Sequence, residues 1–111
     1  MQIYNCNIYV TGIGFEWDEA KNLSNQRKHG VSFEEASQVF HDPLYVSVQD
    51  RIEDGERRWQ TLGVVEGLLL LMVGHTVVEE HGEDPPVEVI RIISARRATR
   101  KERRRYEEEN G

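Results

Sequence analysis

The sequence predicts an α+β fold in which two N-terminal helices pack on an antiparallel meander sheet and a C-terminal helix ends the domain. Three observations carry that expectation. The apolar residues change from helical spacing to strict alternation around Asp42-Pro43. Capping-box pairs recur at Ser32/Glu35 and Thr99/Glu102. An unbroken apolar run, Leu68 to Val73, lies between alternating segments, as a strand covered on both faces should read. Runs of helices followed by runs of strands place the helices on one face of a sheet.

Taken in order, Ile8 to Val10 reads as a short strand before the Gly12 and Gly14 pair, and residues 1–14 as an N-terminal extension or flexible leader. Phe15 and Trp17 flank Glu16 in strand-like alternation. Asp18 stands at a helix N-cap, Glu19 faces the positive end of the dipole, and Gly30 stops the helix. Ala20 and Leu23 are its apolar anchors, and Lys21, Arg27 and Lys28 make it basic. Phe33, Ala36, Val39 and Phe40 share one face of a second helix, which ends before Asp42-Pro43 because proline disfavours helical dihedrals in the preceding residue. Leu44 to Val48, Arg57 to Val65, Leu68 to about Val78 and Val87 to Ser94 then read as strands. Their connections fall at Glu53-Asp54-Gly55, at Glu66-Gly67 and in a charged, proline-bearing surface loop over Glu79 to Pro86. A final helix from about Thr99 to Glu108 carries Arg100, Lys101, Arg103, Arg104, Arg105 and Tyr106.

At 111 residues and 38% hydrophobic, the chain suits one small domain, here residues 15–108. Cys6 is the only cysteine, so no intramolecular disulfide or four-thiolate metal site can form, which fits a cytoplasmic protein. No stretch approaches the ~20 apolar residues of a membrane span. The formal net charge of -6 hides a segregation. Residues 1–90 hold 6 basic and 16 acidic side chains, whereas residues 91–106 hold 8 basic and 1 acidic. An acidic protein with one concentrated cationic segment suggests a local anion site rather than a bulk-charge coat.

Arg91 interrupts an apolar strand, so its guanidinium needs either an internal carboxylate or a cleft where an anion binds. Arg96, Arg97 and Arg100 follow, and several guanidinium forks could grip one phosphate. Arg58 beside Trp59 joins a phosphate partner to a flat surface that could stack a base, although a strand tryptophan is more often part of a core than a platform. The four histidines, His29, His41, His75 and His81, lack metal-ligand spacing, so no metal or cofactor is expected. His75, on the face shared with Leu71 and Val73, and His29, in the Arg27-Lys28-His29 run, are the candidates for proton transfer. The chain has no Gly-rich phosphate loop and no Gly-x-Ser-x-Gly elbow.

These blocks also carry a resemblance. Phe15-Glu16-Trp17-Asp18, Lys21, Asn25, Lys28 to Ala36, Phe40 and Asp42-Pro43, followed by Arg58-Trp59, Gly63, Ile90 to Thr99, Glu102 to Arg104 and Tyr106, resemble the BrnT toxins in order and spacing. The resemblance implies a RelE-like fold and the toxin of a type II toxin-antitoxin system. It further implies an endoribonuclease that inhibits translation and is neutralised by a BrnA-like antitoxin, with toxin subunits and an antitoxin dimer forming a hetero-tetramer and DNA contacted only through the antitoxin. On that expectation Arg58, Arg91 and Arg96 hold the RNA phosphate without metal, and His75 or His29 moves protons. Lys28, Trp59, Arg97 and Arg100 would position substrate. The rival expectation is a non-catalytic binding module whose basic C-terminal helix docks an acidic protein or nucleic acid.

Overall fold

The computed structural model describes residues 6–10, 13–67, 69–80 and 87–111. Of the expected loop Glu79 to Pro86, Glu79 and Glu80 instead continue a strand paired with Glu88 and Val87, and residues 81–86, His81 among them, lie outside the described residues together with part of the N-terminal extension.

Among the described residues six strands form one sheet in the order β1-β2-β6-β5-β4-β3, with β1 Cys6–Val10, β2 Ile13–Trp17, β3 Val46–Glu53, β4 Glu56–Val65, β5 Leu69–Glu80 and β6 Val87–Arg97. The helices are α1 Glu19–His29, α2 Phe33–Ser37 and α3 Arg100–Glu109. Strands β3 to β6 make the antiparallel meander, but β2 pairs parallel to β6, with Phe15 opposite Ile90 and Glu16 opposite Arg91. The sheet is therefore mixed, because α1 and α2 carry the chain across one face and return it to the far edge.

The local grammar explains the boundaries. Asp18 caps α1 by accepting from the Lys21 amide, and Gly30, at φ 70°, ends it by donating to the Gln26 carbonyl. Both capping boxes form, at Ser32/Glu35 and Thr99/Glu102. The second helix is shorter than expected: it tightens to a 3₁₀ turn over Gln38–His41, the usual way for a helix end to satisfy its last carbonyls. Asp54 and Gly55, both at positive φ, make the two-residue hairpin turn between β3 and β4.

Two apolar clusters lie on opposite faces of the sheet. Phe15, Trp17, Leu71, Val73, Ile90, Ile92 and Ala95 pack under Val31, Phe33, Ala36, Val39 and Phe40 of the α1–α2 layer. On the other face Leu62, Leu70 and Met72 are covered by Ala98 and Tyr106. That arrangement corrects the expectation of helices on a single face. It also accounts for the apolar run in β5, whose alternate residues feed both clusters.

The α1 anchors are also corrected. Ala20 and Leu23 are exposed, and the residues that α1 buries are Asn22 and Asn25. Asn25 donates to the carbonyls of Val31 and Ala95 at 2.9 and 2.8 Å and accepts from the Ala95 amide at 3.2 Å. Asn22 accepts from the Phe33 amide at 2.8 Å. The inner face of α1 therefore docks by saturating backbone groups rather than by apolar area. Close packing continues at Gly63, where a Cβ would meet Val39 Cγ1 at 2.6 Å and its carbonyl oxygen at 2.8 Å.

Candidate phosphate-binding groove

The face of the sheet that carries α3 also carries the arginines. In an antiparallel pair directly opposed residues share a face. Register opposes Arg96 to Met72, Ser94 to Gly74 and Arg91 to Thr76, so all six positions lie on the α3 side. Arg96 and Arg91 share that face only because β6 contains a bulge. Gly74 pairs with Ser94 but His75 pairs with Ile92, which leaves Ile93 as the extra residue. A second bulge interrupts β3, where Gln49 faces Trp59 and Arg51 faces Arg58, leaving Asp50 as the extra residue. Arg58 lies on the α3 side by plain alternation with Gln60 and Leu62 along β4, and the bulge brings Arg51 to the same side.

Between the two bulges lies a groove of about 120 Å³ bordered by Asp50, Arg51, Arg58, Gln60, Gly74 and Ser94, with Trp59, Met72, His75 and Ile93 completing its border. Its volume is well below the ~300 Å³ of a pocket that encloses a whole small molecule, so it suits one phosphate-sized group of an extended chain. Gly74 makes the floor low: a Cβ there would meet Ser94 Oγ at 2.6 Å. A neighbouring hollow, lined by Gln60, Lys101, Glu102 and Arg105, extends the surface onto α3.

The three arginines differ in engagement. Arg91 donates through Nε to Glu16 at 2.9 Å and through Nη1 to Glu56 at 3.3 Å, so the internal-carboxylate reading of this residue is the one realised. Arg96 forms a two-pronged pair with Glu102, at 2.8 and 3.0 Å. Hydrogen bonding from Arg96 holds the Glu102 carboxyl below the usual range against the opposing effect of burial, and Glu102 in turn raises Arg96. Arg58 is different. Its Nε is buried without a hydrogen-bond partner among the described residues, and its ion pair with Glu53 is long, at 3.9 Å.

Other expected site residues face elsewhere. His75 does share a face with Leu71 and Val73, and that is the helix-bearing face: its ring packs edge-on against Phe40 at 5.3 Å, and its Nε2 shares a 2.7 Å hydrogen bond with Thr61 Oγ1. It is 3% exposed, and burial pushes its pKa down to about 4. Trp59 stands opposite His75 and lines an apolar cleft with Phe40, Tyr45, Val77 and Ile90. Lys28 and His29 are exposed at the end of α1, in the helical layer across the sheet. Of the residues expected to converge with the arginines, Trp59 and His75 border the groove beside Arg58, but register turns their side chains to the opposite face of the sheet, while Lys28 and His29 lie in the helical layer on that opposite face. Arg97 is exposed and opposes Leu71, on the helix-bearing side. Arg100 is exposed on the first turn of α3.

Sequence reasoning passed over Asp50, Arg51, Gln60, Gly74 and Ser94. No composition or motif marks them: Gln60, Gly74 and Ser94 meet through strand register, and the β3 bulge adds Asp50 and Arg51. Among the described residues no three His, Cys, Asp or Glu side chains cluster as a metal site requires, and no helix is long and apolar enough to cross a membrane.

A small mixed sheet with a helical layer on one face and an arginine-bordered, phosphate-sized groove on the other makes this an α+β protein. The chain belongs to the BrnT family, the ribonuclease toxins of type II toxin-antitoxin systems, whose model matches residues 17–102. The crystal structure of the Brucella abortus ribonuclease toxin BrnT is similar, with a TM-score of 0.57 and 25% sequence identity over 76% of this chain and 94% of that one. No curated protein matches this chain.

Proposed function

We propose that this protein is a metal-independent endoribonuclease that inhibits translation, acting through the groove between the β3 and β6 bulges, and that a BrnA-like antitoxin neutralises it. The carrying observation is Arg58, a guanidinium bordering the groove with a buried Nε that has no hydrogen-bond partner among the described residues. A buried donor of that kind is costly unless an anion completes it. A scissile phosphate in the groove accepts from Arg58, and the charge that builds on its oxygens during cleavage strengthens that bond. Arg91 and Arg96, each already holding a carboxylate, contribute orientation of the β6 face rather than free charge. Arg100, Lys101, Arg103, Arg104 and Arg105, all exposed, extend the path for an RNA backbone along α3.

A RelE-like fold, a cytoplasmic location, the hetero-tetramer with an antitoxin dimer and DNA contact only through the antitoxin belong to the same reading. The alternative, a non-catalytic module that binds through α3, draws on the same exposed cations. One experiment separates the two: purified protein is incubated with RNA in EDTA, and the products are resolved. Discrete fragments, suppressed by the neighbouring antitoxin gene product, support the enzyme. Intact RNA that is bound but released by salt overturns it in favour of the binding module.

A further inference from the structure

The groove has arginines on the α3 face of the sheet, and His75, though it borders the groove, is 3% exposed with its ring held on the opposite face by Thr61 and Phe40, so a proton acceptor for cleavage has to come from another residue type. Carboxylates are available on this face, and most are committed. Glu16 and Glu56 hold Arg91. Glu102 holds Arg96 and caps α3 at the Thr99 amide. Glu53 shares Arg51 with Asp50, accepting from its Nε at 3.1 Å, but does not border the groove. Asp50 remains, and it is the one carboxylate among the residues bordering the groove. It is also the extra residue of the β3 bulge, a device that re-aims a side chain out of the regular alternation. Its partner is Arg51 Nη1 at 2.7 Å, on a side chain 61% exposed, so the pair is largely screened by solvent and leaves the carboxylate available.

Resting on the functional reading above, we infer that Asp50 is the general base of the reaction, a role that neither its sequence context nor any histidine supplies. RNA lies with a phosphate at Arg58 and the adjoining ribose toward β3. Asp50 takes the proton of the ribose 2′-hydroxyl as the 2′-oxygen forms its bond to phosphorus. The bond from phosphorus to the 5′-oxygen of the next nucleotide breaks, and that oxygen leaves with its electron pair and is protonated by water. The products are a 2′,3′-cyclic phosphate and a 5′-hydroxyl, and Asp50 returns its proton to solvent. No oxidant, reductant or co-reactant is needed.

The test uses the full chain, a short RNA and a copy of it with a single 2′-deoxy substitution at the cleaved position. The variants are Asp50→Asn, Asp50→Glu and, as a control, Asp54→Asn in the adjacent turn. Asp50→Asn is expected to lower kcat by ~10²- to 10⁴-fold with KM little changed and to lose the decline of kcat/KM at acid pH. Asp50→Glu restores that decline, Asp54→Asn cleaves as wild type, and the deoxy substrate stays intact. An Asp50→Asn variant that cleaves at the wild-type rate, or keeps the same acid decline, overturns the assignment while leaving the ribonuclease reading standing. Cleavage of the deoxy substrate overturns the 2′-hydroxyl step. Wild-type protein that cuts no RNA overturns the functional reading and this inference with it.

Discussion

Arg91 and Arg96 project from the same face of β6 although an odd number of positions separates them, which simple alternation forbids. The bulge at Ile93 resets the alternation, so one strand delivers both guanidinium groups and Ser94 to the surface beside α3. Equivalence of placement is not equivalence of role, because Arg91 lies on two carboxylates whereas Arg58 has an unmet donor.

Truncating the two should therefore give opposite profiles. Arg58→Ala is expected to cut the RNA cleavage rate by ~10²- to 10³-fold with little change in melting temperature. Arg91→Ala leaves the partly buried Glu16 and Glu56 without their cation and should cost about 1–2 kcal/mol of stability. Denaturant titration beside a cleavage assay reads both effects, and equal stability losses would contradict the contrast.

His75 makes stability depend on pH. Its pKa falls from 6.5 to about 4 on folding, so the unfolded chain binds the extra proton first as pH drops. Its contribution is complete above pH 6.5 and is lost progressively toward pH 4, roughly 3 kcal/mol in all. Melting temperatures across that window should fall for wild type and fall less for His75→Gln.

Asn25 joins α1 to β6 and to the turn before α2. Replacing it with Ala strands buried backbone groups of Val31 and Ala95, at a cost on the order of 3 kcal/mol. Leu23→Ala, on an exposed position of the same helix, should be nearly silent. Urea midpoints of the two variants check the inversion of the usual apolar-over-polar ranking.

Gly63→Ala should destabilise by about 1–3 kcal/mol, because the new methyl meets both the side chain and the backbone of Val39. Coupling it with Val39→Ala relieves the side-chain clash but not the contact with the carbonyl. Recovery in the double variant should therefore be partial, as a thermal melt can show.

Much of the fold was legible because its signals are local. Asp18, Gly30, Ser32/Glu35 and Thr99/Glu102 satisfy helix ends within a few residues of themselves, and each does so as its type predicts. The side chosen by α3 was not legible, since Tyr106 reaches Asp42 and the Leu62 cluster only once the sheet exists. Burial and the Asp42 hydrogen bond push the Tyr106 hydroxyl up to about 12, while Asp42, despite the opposing effect of burial, is held below its ordinary value by Tyr106 and the Val64 and Leu44 amides. The polar inner face of α1 was misread because Asn22 and Asn25 carry no apolar signature. In the groove, Arg58, Arg91 and Arg96 stood out as cations in strands, but Asp50 and Gly74 acquire meaning only from pairing offsets between β3 and β4 and between β5 and β6. The β6 offset also turned Arg91 to the face opposite His75, where plain alternation already places Arg58 and Arg96.

The position of β6 sets an order on synthesis. It is the last strand made, yet it lies between β2 and β5, so a nascent chain that has emerged only through β5 holds an N-terminal hairpin with no lateral link to the other three strands. Arg91, Ser94 and Arg96 arrive with that strand. A chain stopped before Val87 therefore has the β3–β5 side of the groove without Ser94, and its helical layer without Ile90, Ile92 and Ala95 to pack on.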